Sequence, residues 1–291
     1  MDLDAVARAF WTTPGRMTDL AGVEVGRLPD DPIELRRLAS GLCVHPAMSH
    51  SYGVTADDRH ESEPNLRPVS AIVSALRARR DESLGASRGP TDRVVGTCRT
   101  FTVLFVALLR AVGVPARARC GHAGYFERDR WIDHWVAEWW SDDRGRWVRA
   151  DAQLDEGQLG WFAIDWDPSD VPPGVFLTGG ECWQAIRRGE VDGRRCGILD
   201  MWGAWFVRGN VVRDLAALNK IELLPWDGWG ITEDLSAAGS PDDDAYIDLL
   251  ADVCASDDLA RIRAAYDDDR VRVPDIITSF LPTGPVQVRL A

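Results

Sequence analysis

The sequence predicts an α+β fold in which one apolar helix packs on an antiparallel β-sheet, and three observations predict it. Phe101, Leu104, Phe105, Leu108, Leu109 and Val112 recur at the spacing of one helical face. Residues 131–140 alternate, with Ile132, His134, Val136, Glu138 and Trp140 on one side. The turn signal Asp142-Asp143-Arg144-Gly145 then leads into residues 146–151, a second alternating run that pairs back on the first. Helices precede this core, and a Trp-rich extension follows it.

Residues 1–30 predict a short amphipathic helix and then an approach punctuated by Gly and Pro. A second helix is expected around residues 33–42, interrupted at Pro46 before His45 and His50 are left in irregular chain. Residues 55–68, polar and with two prolines, read as a loop, residues 69–80 as an amphipathic helix, and 81–92 as a linker. Thr97 is the expected N-cap of the central helix, Gly113 fits the position just past its end, and Pro115 forbids continuation. Beyond Asp155, residues 157–176 read as an irregular loop and 181–189 as a short helix. Residues 198–208 read as a strand or tight loop, 211–224 as a helix and 226–240 as a Trp/Gly loop. Helices at 246–254 and 259–266, the second capped by Ser256-Asp257-Asp258, precede a tail with strand-like alternation from Val271. The organisation expected is an N-terminal helical region at 1–90, a catalytic core at 91–156 and an extension at 157–291 covering the cleft, in one compact domain.

Composition bounds the function. The 291 residues can bury one substantial core, and 45% hydrophobic with 27% charged content is ordinary for a globular protein. A net charge of −13 and a pI near 4.8 argue against nucleic acid or an anionic membrane surface as partner, and favour a neutral or cationic substrate. Lys220 is the single lysine, so almost no amine is present for self-cross-linking. No apolar run reaches membrane-spanning length, and MDLDAVARAFW lacks the pattern of a secretory signal. Six cysteines without short-range spacing are expected as reduced thiols, which points to a cytoplasmic address. Oligomeric state is not legible.

Cys98 falls in the first turn of the central helix, among unpaired N–H groups and at the positive end of the helix dipole. That environment favours the thiolate a nucleophile needs. A four-residue loop between Ser141 and Arg146 sets Trp140 opposite Trp147 and Val136 opposite Asp151. His134 is then the diagonal neighbour of Asp151 on the same face, and a slip of one residue would separate them. Cys98 as nucleophile, His134 as base and Asp151 as its orienting carboxylate form a coherent set. Asp133 points to the other face and is expected exposed. Asp155 is a weaker competitor.

Arg99 either assists Cys98, binds a carboxylate or is a surface residue of the first turn, the last being preferred. His122 is a candidate for the cleft lining. Trp202, Trp205, Trp226 and Trp229, in Gly-rich chain, are candidates for a substrate wall. Asn210, Arg213, Asp214, Asn219 and Glu222 are expected as a solvated helix face. Cys43-Val-His45 and Cys120-Gly-His122 lack the supporting ligands of a zinc site, so no metal and no other cofactor is expected.

The order Cys, His, Asp on helix, strand and adjacent strand resembles the transglutaminase-like superfamily. GTCRTFTVLFVALLRAVGVPAR is similar to its cysteine helix and following turn, DHWVAEWW to its His strand and GRWVRADAQLD to its Asp strand. The likeness is specific over residues 94–155 and looser through DMWGAWFVRGNVVRDLAALNKIELLPWDGWG. It implies a papain-like core and acyl transfer through a thioester on an amide or ester of a peptide or small molecule. The absence of C-x-x-C pairs separates the chain from peptide N-glycanases, whose core is similar. Two rivals remain, a scaffold recruited for condensation or cyclisation of small molecules and a non-catalytic binding module.

Overall fold

Residues 98–111 form a helix with scarcely any exposed side, and the elements before it are arranged round it. The computed structural model describes residues 3–23, 25–233 and 241–290. It divides into two units, Met1–Ala118 with Val136–Val171, and Arg119–Trp135 with Pro172–Ala291.

In the first unit come α1 (Ala5–Thr12), α2 (Pro32–Leu42), β1 (Cys43–Val44), α3 (Arg59–Ser62), α4 (Val69–Arg79), β2 (Val94–Val95) and α5 (Cys98–Ala111). Asp4 and Asp31 cap α1 and α2 by accepting from Ala7 N and Ile33 N, and Pro32 takes the first turn of α2. Helices α1, α2 and α4 pack on α5, every residue of which from Cys98 to Arg110 is buried. Gly113, at φ +82°, ends α5 and lets Val114 N–H return to Leu109 O. Buried Arg110 donates to Trp11 O, Thr18 Oγ1 and Ala116 O, which ties α1 to the end of α5.

Strands β3 (Ala116–Ala123) and β4 (Trp131–Ser141) are sheet neighbours, and each runs on from one unit into the other. In the first unit β4 pairs antiparallel with β5 (Arg146–Ala150) in the register expected, with Trp140 opposite Trp147 and Ala137 opposite Ala150. Glu138 sits between Arg117 (2.7 Å) and Arg149 (2.9 Å), and the Arg117 guanidinium lies 4.1 Å from the centre of the Trp147 ring. Two readings are corrected. The stretch 55–68 contains α3, and 157–176 contains α6 (Glu156–Trp161), which Asp155 caps through Gln158 N. Helices of four and six residues are too short to show apolar periodicity.

The second unit continues with β6 (Phe176–Thr178), α7 (Gly179–Arg187), β7 (Cys196–Ile198), β8 (Met201–Trp202), α8 (Ala204–Leu218), β9 (Asp227–Gly228), α9 (Pro241–Cys254), α10 (Leu259–Tyr266), β10 (Ile276–Leu281) and β11 (Gly284–Arg289). Here β3 pairs with β6, β4 with β7, and β7 with β8. The tail forms the hairpin β10–β11 with β9 beside β10. Helices α7, α8 and α9 pack together. A Cβ on Gly179 would stand 2.5 Å from the Asn210 carbonyl, so only glycine permits this crossing of α7 and α8.

The helix expected at 211–224 starts seven residues earlier, at Ala204, so the strand or loop expected at 198–208 is confined to the residues before it, where β8 forms. Trp202, Gly203 and Trp205 give residues 198–208 an irregular look, but Val207, Val211, Leu215 and Leu218 supply a buried stripe that carries the helix through Gly209. Of the Trp/Gly loop at 226–240, residues 234–240 lie outside the described residues.

Candidate active site

Cys98 is the first residue of α5 and is 7% exposed. Its approach is held firmly. Strands β1 and β2 pair in parallel, Gly96 N–H donates to Val44 O, and Val95 N–H donates to Glu63 Oε2, which is itself paired with Arg79. Thr97 occupies the N-cap position expected, but its side chain makes no capping bond. Thr100 N–H donates to Thr97 O at 2.8 Å, but the N–H groups of Cys98 and Arg99 make no bond to the Thr97 side chain. Arg99 is a correction: it is fully buried and donates to Leu66 O at 3.3 Å, so it is not a surface residue.

Asp151, in the same unit, follows β5 directly and is fully buried. One further step along the β4–β5 ladder sets it against Val136. Its Oδ1 accepts from Gln153 N–H at 2.9 Å, and its backbone is fixed by Pro168 O and by Arg36 Nη1. Arg36, buried on α2, also donates to Leu154 O at 2.7 Å and to Ser169 Oγ. Burial holds that guanidinium below its ordinary range, and the nearby charge of Asp151 acts against the shift.

His134 belongs to the second unit, two residues before Val136 and on the same face of β4. It is 2% exposed, with the rings of Phe126, Tyr125 and Phe176 edge-on at 4.9, 5.9 and 6.3 Å. Asp133 is a second correction. It is buried, not exposed, and accepts from Asn210 Nδ2 at 2.7 Å. Burial pushes its carboxyl up, while the bond from Asn210 works in the other direction. Asn210, Asp214, Asn219 and Glu222 are buried as well, so the polar face of α8 and the turn after it is not solvated. Trp229 is 1% exposed and gives its Nε1 to Val271 O, which makes it a core residue. Trp202, Trp205 and Trp226 are half-buried, and Arg130 stacks on Trp202 at 4.5 Å.

Residues 57–152 match the family model described as the transglutaminase-like superfamily. The match takes in that stretch alone, which is similar to the transglutaminase-like superfamily. Over 115 residues it is 31% identical to human (Homo sapiens) protein-glutamine gamma-glutamyltransferase 4, a match that takes in 33% of this chain and 16% of that protein. A solved structure of a candidate cysteine protease from Cytophaga hutchinsonii is also similar, at 19% identity and a TM-score of 0.24, over 52% of this chain and 43% of that one.

The transglutaminase-like stretch holds Cys98, Arg99, His122, His134 and Asp151, whereas the Trp candidates lie outside it. Sequence reading missed Asp133 and Asn210 as partners. A signal was available, since Asn210 and Asp214 lie on the stripe of Val207, Val211 and Leu218.

His122 is fully buried, with its Nε2 3.4 Å from Asn210 Nδ2 and the Phe206 ring 6.1 Å away. Its Nδ1 has no partner among the described residues. Burial pushes its pKa from 6.5 to about 3. Below pH 6.5 the unfolded chain binds a proton that the folded chain refuses, so stability falls with pH until about pH 3. Asp133, pushed up, contributes with the opposite sign, so the comparison is with His122→Asn. Urea unfolding is expected to show the wild type losing roughly 2 kcal/mol more than His122→Asn between pH 6.5 and 5. Equal losses would place the acid sensitivity elsewhere.

Proposed function

We propose that this transglutaminase-like chain transfers acyl groups through Cys98, with His134 as its base and Asp151 as the residue that orients His134. The observation that carries the reading is the place of Cys98 at the start of the buried helix α5, behind an N-cap side chain that makes no capping bond. Cys98 Sγ would attack the carbonyl carbon of an amide or ester while its proton passes to His134. The N–H of Cys98 is suited to bind the oxyanion. On collapse of the tetrahedral species His134 protonates the departing amine or alcohol and leaves a thioester on Cys98. Water or a second amine then attacks, and sulfur leaves as the thiol. The β4–β5 register supports the pairing of roles, because it keeps His134 and Asp151 at matching parity.

Iodoacetamide labelling of the native protein, with the modified cysteine located by mass spectrometry, tests this reading. Burial pushes the Cys43 and Cys254 thiols up, and Cys182 is pushed up by its thiol hydrogen bond with Cys196 and then by burial. Cys98 is expected to label at least about tenfold faster than any other cysteine at pH 6–7, and to lose that lead in His134→Ala. Slow labelling shared among all six cysteines and unchanged by the substitution would overturn the nucleophile assignment.

A further inference from the structure

Asn210 is placed to do more than fill space. Its backbone is packed against Gly179, and its amide points at three acceptors on the β3–β4 hairpin. Nδ2 lies 2.7 Å from Asp133 Oδ1, 3.3 Å from Gly121 O and 3.4 Å from His122 Nε2. One buried amide on α8 thus links β3 to the residue directly before His134 on β4. Asn210 is 1% exposed and Asp133 5%, so neither side chain competes with bulk water for this contact. The two residues lie inside one unit with His134.

Resting on the Cys98–His134 reading above, we propose that Asp133 and Asn210 are positioning residues for His134, Asn210 holding the Asp133 carboxylate behind the imidazole so that its charge favours the imidazolium form. Adjacent strand residues point to opposite faces, so Asp133 acts through the backbone of β4 and through space and does not contact the reacting atoms. A buried carboxylate and an imidazolium one residue apart attract each other across a medium far less polar than water. Their influence is mutual: the positive charge of His134 and that of Arg213 on α8 both favour ionised Asp133. His122, held neutral by burial, lies against Asn210, and the Tyr125 ring lies against His134. The rings of Phe126 and Phe176 also lie edge-on to His134.

The test is the rate of Cys98 alkylation by iodoacetamide from pH 5 to 9 in the wild type, Asp133→Asn and Asn210→Ser. Asp133→Asn keeps the shape of the side chain and removes its charge. It is expected to move the profile to higher pH by about half a unit to one unit, which slows labelling at pH 6 about three- to tenfold. Asn210→Ser, whose shorter side chain cannot span to Asp133, is expected to move it the same way. A purely structural role would lower the unfolding midpoint and leave the profile in place. Profiles that coincide with the wild type in both variants, each folded by circular dichroism, would overturn the proposal. A wild-type Cys98 that shows no lead over the other cysteines would instead mark the failure of the underlying active-site reading.

Discussion

Cys98→Ala is expected to release p-nitrophenol from p-nitrophenyl acetate at least about 10³-fold more slowly than the wild type. Cys98 opens α5, with its neighbours Arg99 to Arg110 buried behind it, so the sulfur sits at a fixed point and not on a mobile loop. The entry to that point is fixed by the β1–β2 pairing and by the bond from Val95 N–H to Glu63. An activated ester asks little of the leaving group, so it reports the attack of sulfur even where the natural acyl donor is unidentified. Mass spectrometry of the wild type quenched in acid is expected to show one acetyl group on Cys98. In the proposed mechanism the imidazole and the thiol act as one unit, so His134→Ala should lose most of the same rate and the two losses should not add. Release at the wild-type rate from Cys98→Ala would mean that the chemistry lies at another residue.

The second large effect is on stability. Asp214 is fully buried on α8, accepting from Arg119 Nε at 3.0 Å and Nη2 at 2.8 Å and from Cys120 N–H at 2.9 Å. Arg119 also donates to Cys254 O at 2.9 Å, so one ion pair joins β3, α8 and the end of α9. Asp214→Ala takes the carboxylate away from a buried guanidinium and a strand N–H. It is expected to destabilise the protein by about 3–5 kcal/mol in urea unfolding. The double variant Arg119→Met/Asp214→Leu removes both charges and is expected to recover most of that loss. A loss under about 1 kcal/mol in Asp214→Ala would show that water or a rearranged Arg119 satisfies the site. The pair also matters to the candidate site, since β3 is the sheet neighbour of the strand that carries His134.

Much of the first unit was legible because its signals are local. The apolar period of α5, the glycine and proline at its end and the length of the turn at 142–145 are properties of neighbouring residues. A turn of fixed length dictates register, and register dictates parity. Trp140 therefore stands opposite Trp147 as expected, and His134 and Asp151 keep the same parity. The helices at residues 246–254 and 259–266 and the C-terminal alternation were legible for the same reason, and appear as α9, α10 and the β10–β11 hairpin.

Burial of polar side chains was not legible. Arg99, Asp133, Asn210, Asp214 and Glu222 read as surface residues because their hydrophilicity is intrinsic, whereas the partners that make their burial tolerable come from distant parts of the chain. Leu66 O meets Arg99 from thirty-three residues away, and Asn210 reaches Asp133 across seventy-seven. The start of α8 was misplaced on similar grounds, since the packing of α7 and α9 on it outweighs the local cost of Gly209. The sequence by itself determined that Cys98 opens a buried helix and that His134 lies on a strand, because helix and strand periods are set by nearest neighbours. Only the tertiary structure decided which polar groups are desolvated and what holds them there, because desolvation depends on what packs against a side chain and no local period encodes that.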